Sequence, residues 1–506
     1  KILTGRAKDF DNLRQFNGLS GFLKREESEH DIYEAGHSST SIAAASGIEY
    51  SKKFTKEDFR VIPIIGDGAL TSGMAFEALN FLGGKRDHNP VIILNDNEMS
   101  ISENIGYLAN ILNQVKSKTL IRRVRNKTYR ILPKFLVKLS SKVERGIKGF
   151  VSNNTIFDDL GFSYYGPING HNYKELLKYL TIANKQKKPC VVHVITEKGK
   201  GYAHSENDKL GVWHGVSPFD IESGKSLIEK KKNEYSWSNI ISEYMIDYAE
   251  KHDKFTVVIP AMIAGSGFIK FQEKYPDKIT DVGIAEQMAV TMSSGFALQG
   301  IDVFTPIYST FIQRGYDQVN HDVCRQNLKV IFGIDRAGIV GADGETHQGV
   351  FDIPLLRHLP NMKIVQPSTP KEAFELLNYA FKVNKGPLAI RYERGFAICE
   401  FEKEFTDVVS DLKWKSLNKG ELATFISFGS IISKVQKELE SLGVEVVNAL
   451  SIKPLDEEKL LEIAKKKRPI ITYEESALAG GFGSSVLEFY AKHNIQMNIS
   501  LMGIKD

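Results

Sequence analysis

Short apolar runs rich in β-branched residues alternate along the whole chain with stretches of helical periodicity. That alternation predicts an α/β protein with mainly parallel sheets. Residues 59–65 (Phe-Arg-Val-Ile-Pro-Ile-Ile) predict a strand ending at Gly66, although Pro63 lacks the donor that a central strand needs. Residues 70–82 predict a helix and residues 91–94 the next strand. A second α/β pattern starts near 235, with strands at 256–259, 303–307, 330–334 and 364–365. Thr369-Pro370-Lys371-Glu372 predicts a helix start: Thr369 caps, Pro370 suits the first turn and Glu372 reaches back to the cap. Residues 400–420 are charged and poorly patterned, so they read as a linker. Beyond them, strands are expected at 425–428 and 470–473. The pattern gives three α/β domains, 1–233, 234–410 and 411–506, without tandem repeats.

Composition changes this picture little. The 506 residues suit about three domains, and 42% hydrophobic with 25% charged is ordinary for a globular protein. A net charge of +4 singles out neither nucleic acid nor membrane as main partner. One stretch stands apart, within 111–150: Lys116 to Lys148 holds twelve Lys or Arg and one acid, Glu144. An exposed helical excursion with a solvated face is the simpler expectation for it; a basic cover over an anionic site, or a nucleic-acid stripe, is the sharper one. Cys190, Cys324 and Cys399 are far apart and lack CxxC spacing, which argues against disulfides and zinc and for a reducing compartment. The apolar runs are too short to span a membrane. The chain starts at Lys1 with no initiating Met or signal-peptide pattern, and it reads as truncated at both ends.

The candidate chemistry begins at Gly66-Asp67-Gly68, between a strand and a helix. Glycines there let the backbone approach a phosphate, and Asp67 offers a hard oxygen. Thirty residues on, after another apolar strand, comes Asn95-Asp96-Asn97-Glu98-Met99. Two neighbouring parallel strands bring both turns to one sheet edge. Asp67, the Asn97 amide oxygen and the Met99 carbonyl then supply the protein's share of a magnesium shell completed by phosphates. A lone Gly-Asp-Gly is usually just a turn, whereas its pairing with Asn-Asp-Asn is much more specific.

This pair resembles the thiamine-diphosphate motif of transketolases, 2-oxo-acid dehydrogenases and decarboxylases. Gly36-His37-Ser38-Ser39-Thr40-Ser41 and Leu94 to Ser102 narrow the resemblance to the 1-deoxy-D-xylulose-5-phosphate synthase family, and it runs through all 506 residues. The resemblance implies a transketolase-like thiamine-diphosphate-binding fold plus a transketolase C-terminal-like domain. It implies a cytoplasmic bacterial homodimer that decarboxylates pyruvate and transfers the two-carbon unit to D-glyceraldehyde 3-phosphate. The product serves isoprenoid, thiamine and pyridoxal phosphate synthesis. Gly36, His37, Ser38, Gly68, Ala69 and Tyr202 would line the cofactor.

Glu286 follows a strand and opens an apolar helix. In isolation it is a first-turn Glu facing the helix dipole. Beside the first motif it becomes the carboxyl that bonds the cofactor's pyrimidine, and burial should raise its pKa. Phe311 resembles the aromatic that packs on the pyrimidine, with plain core packing as the competing role. By the same resemblance Tyr308, Arg336, Asp343 and Arg394 contact the acceptor, with His347 nearby, and two arginines in turns suit one phosphate. His214 resembles the family's loop histidine for proton transfer. One departure is Met288, where the family usually has His. Transketolase-type ketol transfer is the nearest alternative. A second is a cofactor-binding piece without turnover, because the family carries further active-site histidines ahead of this chain's start. That second alternative predicts weak cofactor binding or slow turnover.

Overall fold

The computed structural model describes residues 1–85, 87–97, 155–208, 211–228, 231–401, 405, 407, 409 and 411–505. Met99 and the basic stretch 111–150 lie outside the described residues. The chain forms two compact units: Asp31–Val216, and Lys1–His30 together with Ser217–Asp506.

The first of these units is built on β1 (Ile64–Gly66), β2 (Val91–Asp96), β3 (Ser163–Asn169) and β4 (Cys190–Ile195), ordered β1-β2-β4-β3 and all parallel. Strand β4 is covered on both faces, which is why Cys-Val-Val-His-Val-Ile reads as a near-continuous apolar run. The predicted strand at 59–65 shrinks to three residues for the reason Pro63 announced. Carbonyls of Val61 and Pro63 still accept from Val91 and Ile93, at 3.0 and 2.9 Å, but the missing donor confines this stretch to the sheet edge. The predicted helix 70–82 is two pieces, the turn Asp67–Leu70 and the helix Gly73–Gly83. Ser72 takes extended geometry between them.

In the other unit the strands are β5 (Glu234–Ser236), β6 (Phe255–Ile259), β7 (Ile279–Asp281), β8 (Asp302–Tyr308), β9 (Val330–Ala337), β10 (Lys363–Val365), β11 (Leu388–Glu393), β12 (Phe396–Ile398), β13 (Lys415–Ser416), β14 (Ala423–Ser427), β15 (Val444–Asn448), β16 (Ser451–Lys453), β17 (Ile470–Ala477) and β18 (Ile499–Ile504). Seven form a sheet in the order β16-β10-β11-β9-β8-β6-β7, parallel except for the edge pair β10–β16. Five form a second sheet, β13-β15-β14-β17-β18, and β5 pairs with β12 as a ribbon. Strand β16 follows β15 in sequence yet joins the seven-stranded sheet. One apolar core likewise runs from Val258 and Phe332 through Trp414 and Ile426 to Phe482 and Tyr490. The charged stretch before Trp414 therefore separates two sheets that share a core.

The helix Pro370–Asn378 starts as its sequence predicts, with Thr369 Oγ1 accepting from Glu372 N at 3.2 Å. Glu372 reaches one residue further back than expected: it accepts from the backbone N–H and hydroxyl of Ser368, at 2.7 and 2.8 Å.

Candidate active site

In the unit Asp31–Val216, the C-terminal ends of β1, β2 and β4 carry the first motif. Gly66 pairs with Asn95, so Asp67 and Asn97 emerge from adjacent strands at one edge. Asp67 opens its short turn and is 3% exposed, while Asn97 is half-buried. The segment after β4 brings Lys198 to the same edge. Burial lowers the Lys198 pKa, against the pull of Asp208 and Asp67. Lys198 belongs to the Lys-Gly-Lys-Gly-Tyr string, but nothing in that string marks it over Lys200. Tyr202 packs edge-on against Trp213 at 5.1 Å. His214 sits exposed beside Trp213 in the turn Val212–His214. Gly36, His37 and Ser38 are half-buried just ahead of the helix Ser41–Thr55. Buried Ser39 holds a φ of 78°, a strained value for a residue with a side chain, and such strain gathers at functional turns.

Beneath Asn97 lies a buried chain that the sequence did not disclose. His193 Nε2 is 2.7 Å from Asp96 Oδ2, and its Nδ1 is 2.7 Å from the Tyr164 hydroxyl. The carboxylate needs a donor, so Nε2 carries the proton and Nδ1 accepts from Tyr164. Burial raises the Tyr164 pKa, which keeps that phenol protonated. His193 is fully buried and comes from β4, ninety-seven residues from Asp96, so spacing offered no signal.

The oxygens of Asp67 and Asn97 fit a hard cation. No cluster of three or more His, Cys, Asp or Glu able to hold a metal occurs among the described residues.

In the unit containing Ser217–Asp506, Glu286 opens the helix Glu286–Leu298 and is 4% exposed. Burial raises its pKa, while Arg314, whose Nη1 is 3.3 Å from Oε2, opposes the shift. Arg314 was missed at the sequence level, because its neighbours Gln313, Gly315 and Asp317 are polar or small and leave it looking like a surface cation. Met288, two residues on from Glu286, is exposed.

The predicted acceptor residues come together. Asp343 binds Arg336 in a close ion pair and Arg394 Nη1 at 3.4 Å, so one carboxylate faces both arginines. Arg394 also donates to Val340 O at 2.5 Å. The Arg336 guanidinium lies 4.3 Å from the Tyr308 ring centroid. Phe311 stacks on Tyr308 at 5.5 Å and meets His347 edge-on at 5.5 Å. The Tyr308 hydroxyl is buried and has no hydrogen-bond partner among the described residues. Behind Arg336, Asp335 is fully buried with Ser238 donating to its carboxylate, and burial pushes its pKa up to about 6.

Comparisons with known proteins agree along the whole length. Residues 1–196 match the family model described as 1-deoxy-D-xylulose-5-phosphate synthase. Residues 233–397 match the transketolase pyrimidine binding domain, and 412–506 the transketolase C-terminal domain. A 1-deoxy-D-xylulose-5-phosphate synthase of Bacillus cytotoxicus is 46% identical over 519 residues, spanning 100% of this chain and 82% of that protein. The protein of that name from Listeria innocua is 46% identical over 520 residues with the same coverage. A solved transketolase from Campylobacter jejuni is 18% identical, covers 99% of this chain and 82% of its own, and gives a TM-score of 0.46.

Proposed function

The chain belongs to the 1-deoxy-D-xylulose-5-phosphate synthase family, and from that premise we propose how its residues divide the family's transferase reaction. Asp67 and Asn97, with the Met99 carbonyl, would hold magnesium together with the diphosphate of thiamine diphosphate. Gly36, His37, Ser38, Gly68, Ala69 and Tyr202 line that cofactor. When bound, thiamine diphosphate supplies the electron sink for decarboxylation of pyruvate. Glu286 would hold the pyrimidine, and its burial excludes water from its carboxyl. Phe311 packs beside the ring, and His214 and His347 move protons at the reacting centre.

Arg336 and Arg394 take the phosphate of D-glyceraldehyde 3-phosphate. Asp343 holds the two guanidiniums in register, and the Tyr308 hydroxyl offers a donor. The product is 1-deoxy-D-xylulose 5-phosphate, with carbon dioxide released. The observation that carries the reading is the sharing of Asp343 by Arg336 and Arg394. Two such cations fixed by one carboxylate make a phosphate seat, which a plain pyruvate decarboxylase has no use for.

We place the domains at 1–233, 234–410 and 411–506; the matched segments 1–196, 233–397 and 412–506 support that division, the second starting one residue before its domain. The working form is a homodimer in the bacterial cytoplasm. The three buried free thiols suit a reducing compartment, and no described helix is long and apolar enough to cross a membrane.

The test is product analysis with labelled pyruvate. Carbon dioxide release and 1-deoxy-D-xylulose 5-phosphate should appear together and require both D-glyceraldehyde 3-phosphate and magnesium–thiamine diphosphate. Two-carbon transfer from a ketose phosphate without carbon dioxide would favour transketolase chemistry instead. Cofactor binding without turnover would leave a binding protein.

A further inference from the structure

The segment from Gly338 to Gly349 carries both Asp343 and His347, and inside it Gln348 accepts from Val340 N at 2.9 Å and donates to Gly344 O at 3.2 Å. Its ends are tied by reciprocal backbone bonds between Gly338 and Gly349, at 2.7 and 2.8 Å. Between them are two three-residue turns and positive φ angles at Gly338, Gly341 and Gly344. Such a glycine-rich loop has much conformational freedom to lose when a ligand orders it.

Arg394, Glu475 and Thr310 hold the segment from its own unit, and the first thirty residues, which pack with this unit, add a second set of attachments. Arg14 Nη1 donates to the Ala342 carbonyl at 3.1 Å. The same guanidinium lies 5.5 Å from the centroid of Phe22. Phe22 stacks on His347, with centroids 4.9 Å apart and planes at 12°. Lys24 Nζ pairs with Glu345 at 3.0 Å. Gly21 leaves room for this arrangement, because a Cβ there would stand 2.6 Å from Arg14 Nε. These attachments straddle Asp343, one just before it and two just after. The ring contacts then continue from His347 through Phe311 and Tyr308 to Arg336.

We infer that Arg14, Phe22 and Lys24 are positioning residues for the phosphorylated acceptor. They pin the loop on either side of Asp343, so that the carboxylate and the two arginines it orders are in place before the aldehyde arrives. None of the three is proposed to touch substrate. The inference rests on the assignment of Arg336, Asp343 and Arg394 to the acceptor phosphate. Preorganisation of this kind appears in acceptor binding rather than in cofactor binding or pyruvate capture.

The experiment compares wild type, Phe22→Ala and Phe22→Tyr by steady-state kinetics with D-glyceraldehyde 3-phosphate and with unphosphorylated D-glyceraldehyde. Calorimetry of magnesium–thiamine diphosphate binding and thermal melts accompany it. Phe22→Ala should raise KM for D-glyceraldehyde 3-phosphate roughly five- to tenfold, the size of one stacked aromatic pair. KM for pyruvate and cofactor affinity should hold within about twofold, as for a lost acceptor-specific interaction. The unphosphorylated aldehyde should show a smaller change, and Phe22→Tyr should restore the wild-type values. The Arg14→Met, Lys24→Met double variant keeps the stack and should raise the same KM, so the inference stays open to test if Phe22→Ala does not fold. An unchanged acceptor KM, or parallel losses in pyruvate KM, cofactor binding and melting temperature, would overturn it. Wild type that makes no product from D-glyceraldehyde 3-phosphate would sink the acceptor assignment itself; turnover with unaltered variants would sink only the positioning role.

Discussion

Asp335 shows how much one carboxyl can matter where water is absent. It sits on β9 directly before Arg336, with its pKa raised to about 6 by burial. A carboxyl raised this way binds its proton more tightly in the fold than in the unfolded chain. Stability is therefore highest below the unfolded pKa and falls as pH rises through about 6. The loss amounts to roughly 2–3 kcal/mol between pH 4 and pH 7. Asp335→Asn keeps the shape and an acceptor for Ser238 but cannot ionise. Denaturation of both proteins from pH 4 to pH 7 should show the variant gaining about that much on wild type as pH rises. A pH-independent difference would assign the titration elsewhere. Sequence could show that an acid ends an apolar strand. It could not show that the acid is sealed, because the seal is made by residues such as Ser238, ninety-seven positions away.

Among elements, the edge where β1, β2 and β4 end repays the closest attention. Strands β1 and β2 were legible as short β-branched runs, and parallel neighbours must deliver their turns to one side; β4 was not singled out, although Cys190–Ile195 is such a run. The bracing between them was not. Tyr164 on β3, His193 on β4 and Asp96 on β2 join three strands directly below Asn97. Tyr164→Phe leaves the Asp96–His193 contact but strips the donor from a buried Nδ1. The expected loss is about 1–3 kcal/mol of unfolding free energy, the cost of an unsatisfied buried acceptor. Chemical denaturation measures it, and a loss of only a few tenths would mean that water replaces the phenol. Element boundaries were where local pattern misled. Pro63 cut its strand short, Ser72 interrupted a helix, and Glu372 bonded Ser368 in place of the cap residue.

For the whole molecule, the proposed cofactor couples binding to stability. A ligand that binds only the folded chain stabilises it by about 2.7 kcal/mol at a hundredfold excess over Kd. Magnesium with thiamine diphosphate should therefore raise the melting temperature, and either alone should do less. A chelator should erase the gain, and Asp67→Ala should prevent it. A shift that survives both treatments would remove Asp67 and magnesium from the site. The same scale shows why the second and third predicted domains pack as they do. Strand β16 crosses to the edge of the seven-stranded sheet, and one apolar core spans both sheets, so a compositional gap in the sequence became a packed interface in the fold.

The sequence by itself determined the α/β class, the strand–turn motifs at Asp67 and Asn97 and the family, and it put forward Glu286, Arg336 and Arg394 as candidates. Those features are local. A hydrophobic period, a glycine at a strand end or a short string of residues is written in consecutive positions. Only the tertiary structure decided which side chains share a charge, a ring face or a buried proton. Asp343 with Arg394, Arg314 on Glu286, Tyr164–His193–Asp96, and Phe22 on His347 each join separate parts of the chain. Such pairs form when the folded chain brings their groups within reach of one another. No local pattern encodes that condition.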